Sequence, residues 1–170
     1  MPLEQLKLIP FRARHVREIY PEATEPMLEI GELAQDCSST ALTACYLGQP
    51  IGAGGIVMQR PGVADAWTLL SPVLKSFPVF LHREVKRQLA VVIKRYSLRR
   101  IQCTIETTDD PHTACKWAKS LGFQYEGTMR SYTHDGKDVY LFSLIPEVSN
   151  ELSIAVPSVH RSGRFVTWGS

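Results

Sequence analysis

Apolar residues recur along this chain with two different periods, and the switches between them mark out strands and helices. Short apolar runs at Leu6 to Phe11, Ala41 to Leu47, Ile51 to Met58 and Ala66 to Leu70 have the length of strands. Gly48, Gln49 and Pro50 join two of these runs as a hairpin turn, and Pro61 with Gly62 makes another turn. Gly52, Gly54 and Gly55 inside one run predict a bulge or a close backbone approach. From Arg14 to about Leu33 the pattern is helical, divided by Pro21 and Pro26 into two short pieces. The longest helical stretch runs from about Pro78 to Ser97, with Ser76 as its cap. Phe77, Leu81, Val85, Leu89, Val92, Ile93 and Tyr96 form its apolar face.

After a strand from Arg99 to Glu106, a short amphipathic helix opens with Asp110 as N-cap and Pro111 at the first position. Ala114, Trp117, Ala118 and Leu121 fall at i, i+3, i+4 and i+7 on one face. Gly122 suits the left-handed residue that ends such a helix, and Phe123 then packs back on it. Two last strands, Tyr125 to Thr133 and Val139 to Ile145, flank Asp135-Gly136, a tight-hairpin signal. Adjacent hairpins make most of such a sheet antiparallel. The helical crossover between the Trp67 and Ile101 strands makes those two parallel.

A chain of 170 residues with 44% hydrophobic and 21% charged content suits one globular domain with an appendage. The expected division is a domain over 1–145 and a C-terminal tail over 146–170, docked on a partner or on its own domain. A net charge of +2 does not by itself point to nucleic acid. No apolar run approaches the ~18 residues of a membrane span, and the N-terminal residues lack signal-peptide character. Cys37, Cys45, Cys103 and Cys115 form no C-x-x-C pair, and the five histidines form no metal-like cluster, so buried thiols and no metal are expected.

The element order and the helix, Leu121-Gly122-Phe123 and strand sequence resemble the GNAT N-acetyltransferase superfamily over about residues 5–145. That resemblance implies a mixed α/β fold, with a mostly antiparallel central sheet flanked by helices, here followed by a C-terminal extension. It also implies a turn before the long helix that holds the pyrophosphate of acetyl-CoA through free amides. Here that turn, Ser71 to Phe80, contains no glycine, and Pro72 and Pro78 remove two donors. Ser71, Lys75, Ser76 and Arg83 are left as candidate contacts to a CoA. Where family members often carry a thiolate-protonating tyrosine, this chain has Ala118. Glu106, at a strand end beside the expected cleft, is the candidate base, and Tyr125 the candidate acid.

Ala114, Trp117, Leu121, Gly122 and Phe123, together with the degenerate turn, are also similar to GNAT-like proteins of tailed bacteriophages. That likeness implies a virion- or assembly-associated interaction protein without efficient acetyl transfer, needing no cofactor and located in the virion or the host cytoplasm. Its partners would be other phage structural proteins, or further copies of itself met through the tail. Arg161, Arg164, Phe165 and Trp168 are the candidate contacts there. The other reading is an acyl-CoA-dependent N-acetyltransferase acting on an amine of a protein or small molecule. Cations along the long helix, Arg83, Arg87 and Lys94 among them, are either a solvated face or a site for CoA phosphates or nucleic-acid backbone.

Overall fold

The computed structural model describes residues 3–36, 40–107 and 111–147. Seven strands form one sheet: β1 (Leu6–Pro10), β2 (Leu42–Tyr46), β3 (Gln49–Arg60), β4 (Val63–Leu70), β5 (Arg100–Glu106), β6 (Gln124–Met129) and β7 (Val139–Leu144). Their order across the sheet is β1-β2-β3-β4-β5-β7-β6. Every neighbouring pair is antiparallel except β4 and β5, which the long helix joins in parallel.

Among the described residues, four helices cover the two faces. The short α1 (His15–Ile19) and α2 (Glu25–Asp36) lie over one face, divided near Pro21. Their apolar sides enclose Phe11, Val16, Ile19, Ala34, Ala41 and Ala53, with Trp67 and Leu69 of β4 reaching in from the sheet. On the other face, α4 (Pro78–Tyr96) contributes Leu89 and Val92, and α5 (Pro111–Ser120) contributes Ala118. These pack on Ile56, Ala64, Ile101 and Phe142. Burial of such side chains is worth about 1.5–3 kcal/mol each, so these two clusters carry the fold. The α5 helix ends as its sequence requires. Gly122 takes φ 99°, and the Phe123 amide bonds back to the Ala118 carbonyl at 3.1 Å.

The glycines of β3 are sites of close approach. A Cβ on Gly52 would lie 2.3 Å from Leu74 Cδ2, and one on Gly55 would lie 2.7 Å from the Ala41 Cα. The bulge falls across from them, where the β2–β3 register shifts between Ala44 and Cys45.

Three expectations need correction. The turn after β4 contains an extra helix, α3 (Pro72–Lys75), too short to show a period. Ser76 is the C-cap of α3, and Phe77 stands at the N-cap of α4 with no side-chain cap bond. Asp135-Gly136 does not make a two-residue hairpin. β6 stops at Met129 and β7 starts at Val139, and Thr133 closes the connection by accepting the Lys137 amide at 2.8 Å on its hydroxyl. Left-handed Ser131 (φ 47°) takes the chain out of the strand early. Asp110 as cap, and Cys37, lie outside the described residues.

Candidate active site

The parallel pairing of β4 and β5 covers only Val63–Asp65 against Arg100–Gln102. Beyond that point the strands part. β5 stays bonded to β7 up to Glu106, and β4 stays bonded to β3 up to Leu70. The backbone groups of Ala66–Leu70 that face β5 therefore line a wedge in the sheet, with no strand partner on that side. An extended ligand can bond to such an edge, as a peptide does in strand addition. Tyr20, at the end of α1, fixes the rim by donating its hydroxyl to the Leu70 carbonyl at 2.7 Å.

The turn at the top of the wedge spends its donors internally. The Leu74 amide bonds to Ser71 Oγ at 3.3 Å, and the Lys75 amide to the Ser71 carbonyl at 3.1 Å. The Ser76 amide bonds to the Val73 carbonyl at 3.1 Å and the Phe77 amide to the Leu74 carbonyl at 3.0 Å. Pro72 and Pro78 have no N–H. The turn is thus a capped helical turn rather than a nest of free amides. Ser71 is 8% exposed, and its hydroxyl also donates to the Ile51 carbonyl, so its role is structural. Phe77 is buried and packs on Tyr46, at 5.6 Å between ring centroids.

Past the turn, an open groove of about 830 Å3 runs along the first turns of α4 between Ser76, Pro78, Phe80, Arg83 and Arg87. The Val79 and Phe80 amides sit in the first turn of α4, where the helix has no carbonyl of its own four residues back to accept them. Arg87 bonds Glu84 through Nε at 3.0 Å and holds that carboxyl below its usual range. Arg83 makes no ion pair among the described residues and remains available to an anion. Lys75 and Ser76 are exposed beside it, and Ser76 Oγ donates to the Pro72 carbonyl at 3.3 Å.

Two buried side-chain atoms near the floor of the wedge have no hydrogen-bond partner among the described residues: Asp65 Oδ1 and Trp67 Nε1. Residues two apart on a strand share a face, so both groups lie on the side of α1 and α2. Asp65 Oδ2 accepts from Gln59 Nε2 at 2.6 Å, which orients the carboxylate and leaves Oδ1 over. Trp67 is set edge-on to Phe11 at 5.1 Å. An orphaned buried donor or acceptor costs about 1–3 kcal/mol, which a ligand carrying the complementary group recovers. The sequence signal for this site is Asp65 itself, a lone acid in the stretch Val63 to Leu70, which hydrophobic periodicity does not single out.

Glu106 and Tyr125 are not brought together. Glu106 is exposed at the end of β5, on the same face as Asp65 by register. Tyr125 pairs with Phe142, which faces α4 and α5, and β7 separates its strand from β5. At strand spacing that is about 10 Å across the sheet. The Tyr125 hydroxyl is bonded to Thr128 Oγ1 at 2.8 Å. Ala118 is 5% exposed inside the core, so its position does not face the wedge. Cys45, Cys103 and Cys115 are free, and burial pushes the Cys103 thiol up to about 12, which leaves it protonated and unreactive. No metal-binding cluster occurs among the described residues, and no helix there is long and apolar enough to cross a membrane. Arg161, Arg164, Phe165 and Trp168 lie outside the described residues.

The architecture is that of the GNAT N-acetyltransferase fold. Ard1 from Thermoplasma volcanium superposes with a TM-score of 0.69 at 13% identity, covering 83% of this chain and 97% of that one. A GNAT-family acetyltransferase from Streptococcus pneumoniae gives 0.58 at 19% identity, over 82% and 98% of the two chains. A ribosomal L7/L12 alpha-N-protein acetyltransferase in complex with coenzyme A gives 0.61 at 14% identity, over 83% and 94%. No protein-family model matches the chain, and no curated protein matches it. At such identities the likeness is one of fold.

Proposed function

We propose that the protein is an acyl-CoA-dependent N-acyltransferase, with the acyl donor lying in the wedge between β4 and β5 and an amine as acceptor. The observation that carries this reading is the parting of β4 from β5 after three residue pairs. It bares a β4 edge beside two orphaned groups of opposite hydrogen-bonding sense, Asp65 Oδ1 and Trp67 Nε1.

The donor, when bound, supplies an activated thioester. The pyrophosphate contacts fall to Arg83 and the first amides of α4, in place of the turn whose amides are spent. Lys75 and Ser76 lie close enough in sequence to add to them, whereas Ser71 does not face outward. Asp65 accepts a hydrogen bond from the incoming amine, and its carboxylate takes the proton as nitrogen attacks. Trp67 Nε1–H donates toward the oxygen on which negative charge develops. The nitrogen–carbon bond forms, the carbon–sulfur bond breaks, and the thiolate leaves as CoA. Asp65 then passes the proton to solvent in the wedge, and Glu106, about 13 Å further along the same face, keeps the mouth negative toward an incoming cationic amine. Tyr125 could protonate the thiolate only through a bridging water or after movement of β6. Positioning supplies most of the acceleration when the acyl group is already activated.

A second reading is favoured by one observation, the internal use of every amide from Leu74 to Phe77. It is a phage-type, virion- or assembly-associated interaction protein, without efficient acetyl transfer, that engages other structural proteins or its own copies through Arg161, Arg164, Phe165 and Trp168. Calorimetry of the full chain with CoA and acetyl-CoA, followed by thiol release across a panel of amines, separates the two. Micromolar binding that Arg83→Glu weakens supports the transferase. Binding absent at millimolar CoA refutes it and leaves the interaction protein.

A further inference from the structure

The net charge of +2 conceals an uneven distribution. Seven of the nineteen Lys and Arg fall on α4 and α5, against one of the seventeen Asp and Glu. Those two helices therefore carry +6, and the remaining twelve cations and sixteen acids leave the rest of the chain at −4. The one acid, Glu84, is bonded to Arg87. Arg83 serves the acyl-CoA groove, which leaves Lys86, Lys94 and Arg95 on α4 and Lys116 and Lys119 on α5. All five are exposed, and none makes an ion pair among the described residues. Both helices pack into one core cluster on the same face of the sheet, so their outer sides look the same way. α4 ends where β5 begins and α5 where β6 begins, and Ser143 of β7 pairs with both Gln102 and Gln124. The last turns of the two helices thus reach the same end of the sheet, at strands about 10 Å apart. The helix dipoles account for Lys94, Arg95 and Lys119, which stand in those last turns. They do not account for Lys86 and Lys116, which stand before them.

We propose that the outer side of α4 and α5 docks the phosphate backbone of duplex DNA, without reading its sequence. The surface is separate from the acyl-donor site and does not rest on the acyltransferase reading. Charge complementarity carries it. Like charges gathered on one exposed side repel one another until something of opposite sign covers them. From Lys86 to Lys94 the helix advances about 12 Å, a length over which duplex DNA bears about seven phosphate charges. The side chains favour the duplex over single strands. Phe80, Tyr96 and Trp117, the aromatic rings of these helices, are all part-buried, so none stands free for an unpaired base to stack on. They also favour DNA over RNA. Between its cations α4 presents Ala90 and Val91, and on α5 the Ser120 hydroxyl is spent on the Trp117 carbonyl at 2.6 Å, which leaves little to meet a ribose hydroxyl.

The test is fluorescence anisotropy of the full chain with a labelled DNA duplex of about 20 base pairs, titrated between about 50 and 200 mM salt. Five phosphate contacts give a log–log slope of about −4.5, so affinity falls about five-hundredfold across that range. A second duplex of unrelated sequence binds equally. Lys86→Gln and Lys119→Gln each take about one from the slope, while the melting temperature and the affinity for CoA stay where they were. Both residues are exposed, so neither change removes packing. Absence of binding at about 50 mM salt, or a slope that neither variant moves, refutes the proposal. Tighter binding of single-stranded DNA, of duplex RNA or of polyglutamate overturns it in favour of that ligand. Each of these failures leaves the transferase standing, because CoA binding is read separately.

Discussion

Replacing Ser71 by alanine separates holding the fold from holding a ligand. The Ser71 hydroxyl caps α3 by accepting the Leu74 amide at 3.3 Å and donates to the Ile51 carbonyl, in a site 8% exposed. Losing an N-cap costs about 0.5–2 kcal/mol. Losing the second bond costs about 0.5–1.5 kcal/mol. The lower part of that second range applies, because Ile51 keeps the Ser71 amide as a donor at 3.1 Å. The sum is about 2 kcal/mol, and at about 2–4 °C per kcal/mol for a domain of this size the melting temperature falls by about 4–8 °C. Urea unfolding and a thermal scan measure this, and calorimetry with CoA, corrected for the folded fraction, measures the ligand. Unchanged stability together with a tenfold loss of CoA affinity would falsify the assignment of Ser71 to structure and return its hydroxyl to the ligand.

Further outcomes follow from the same geometry. Arg83→Glu weakens CoA about ten- to a hundredfold, the worth of one charge-assisted bond, and flattens the salt dependence of binding. A titration at two ionic strengths checks it. Asp65→Asn lowers kcat by about a hundredfold or more while KM for the acyl-CoA stays put, as loss of a general base requires; a parallel fall in CoA affinity would count against that role. His15 is 3% exposed beside Thr43, and burial lowers its pKa below the ordinary 6.5. The unfolded chain then binds the proton first, so stability is full above pH 6.5 and falls as pH drops toward the folded value. His15→Gln removes that part of the slope in a pH series of unfolding curves. Gly55→Ala places a Cβ 2.7 Å from the Ala41 Cα and costs about 1–3 kcal/mol by overpacking, read from denaturation.

Hydrophobic period with its turn signals located eleven of these elements because each buries one face, and burial is what the period records. It failed where local hydrogen bonds decide. α3 spans a single turn, so no second apolar residue falls on its face, and its cap serine was read as a ligand contact. Ser76 has the right chemistry for a cap of α4, yet its amide and hydroxyl both donate into the turn before it. The glycines of β3 were legible as close approaches, but which groups they approach, Leu74 of α3 and Ala41 before β2, is decided by tertiary packing. Asp65 escaped notice because two neighbours on other strands, Gln59 and the parting β5, make it a site. Tyr125 and Glu106 each looked apt by type, and only the register shows them on opposite faces.

The short seam between β4 and β5 also has a mechanical consequence. Four strands on one side and three on the other form two leaves joined along a spine only three residue pairs tall. What clasps the leaves is the apolar cluster that takes Ile56 and Ala64 from one and Ile101 and Phe142 from the other, under Leu89 and Val92 of α4. Trimming that clasp loosens the book at its binding before either page unravels, so amide exchange should quicken first along the spine.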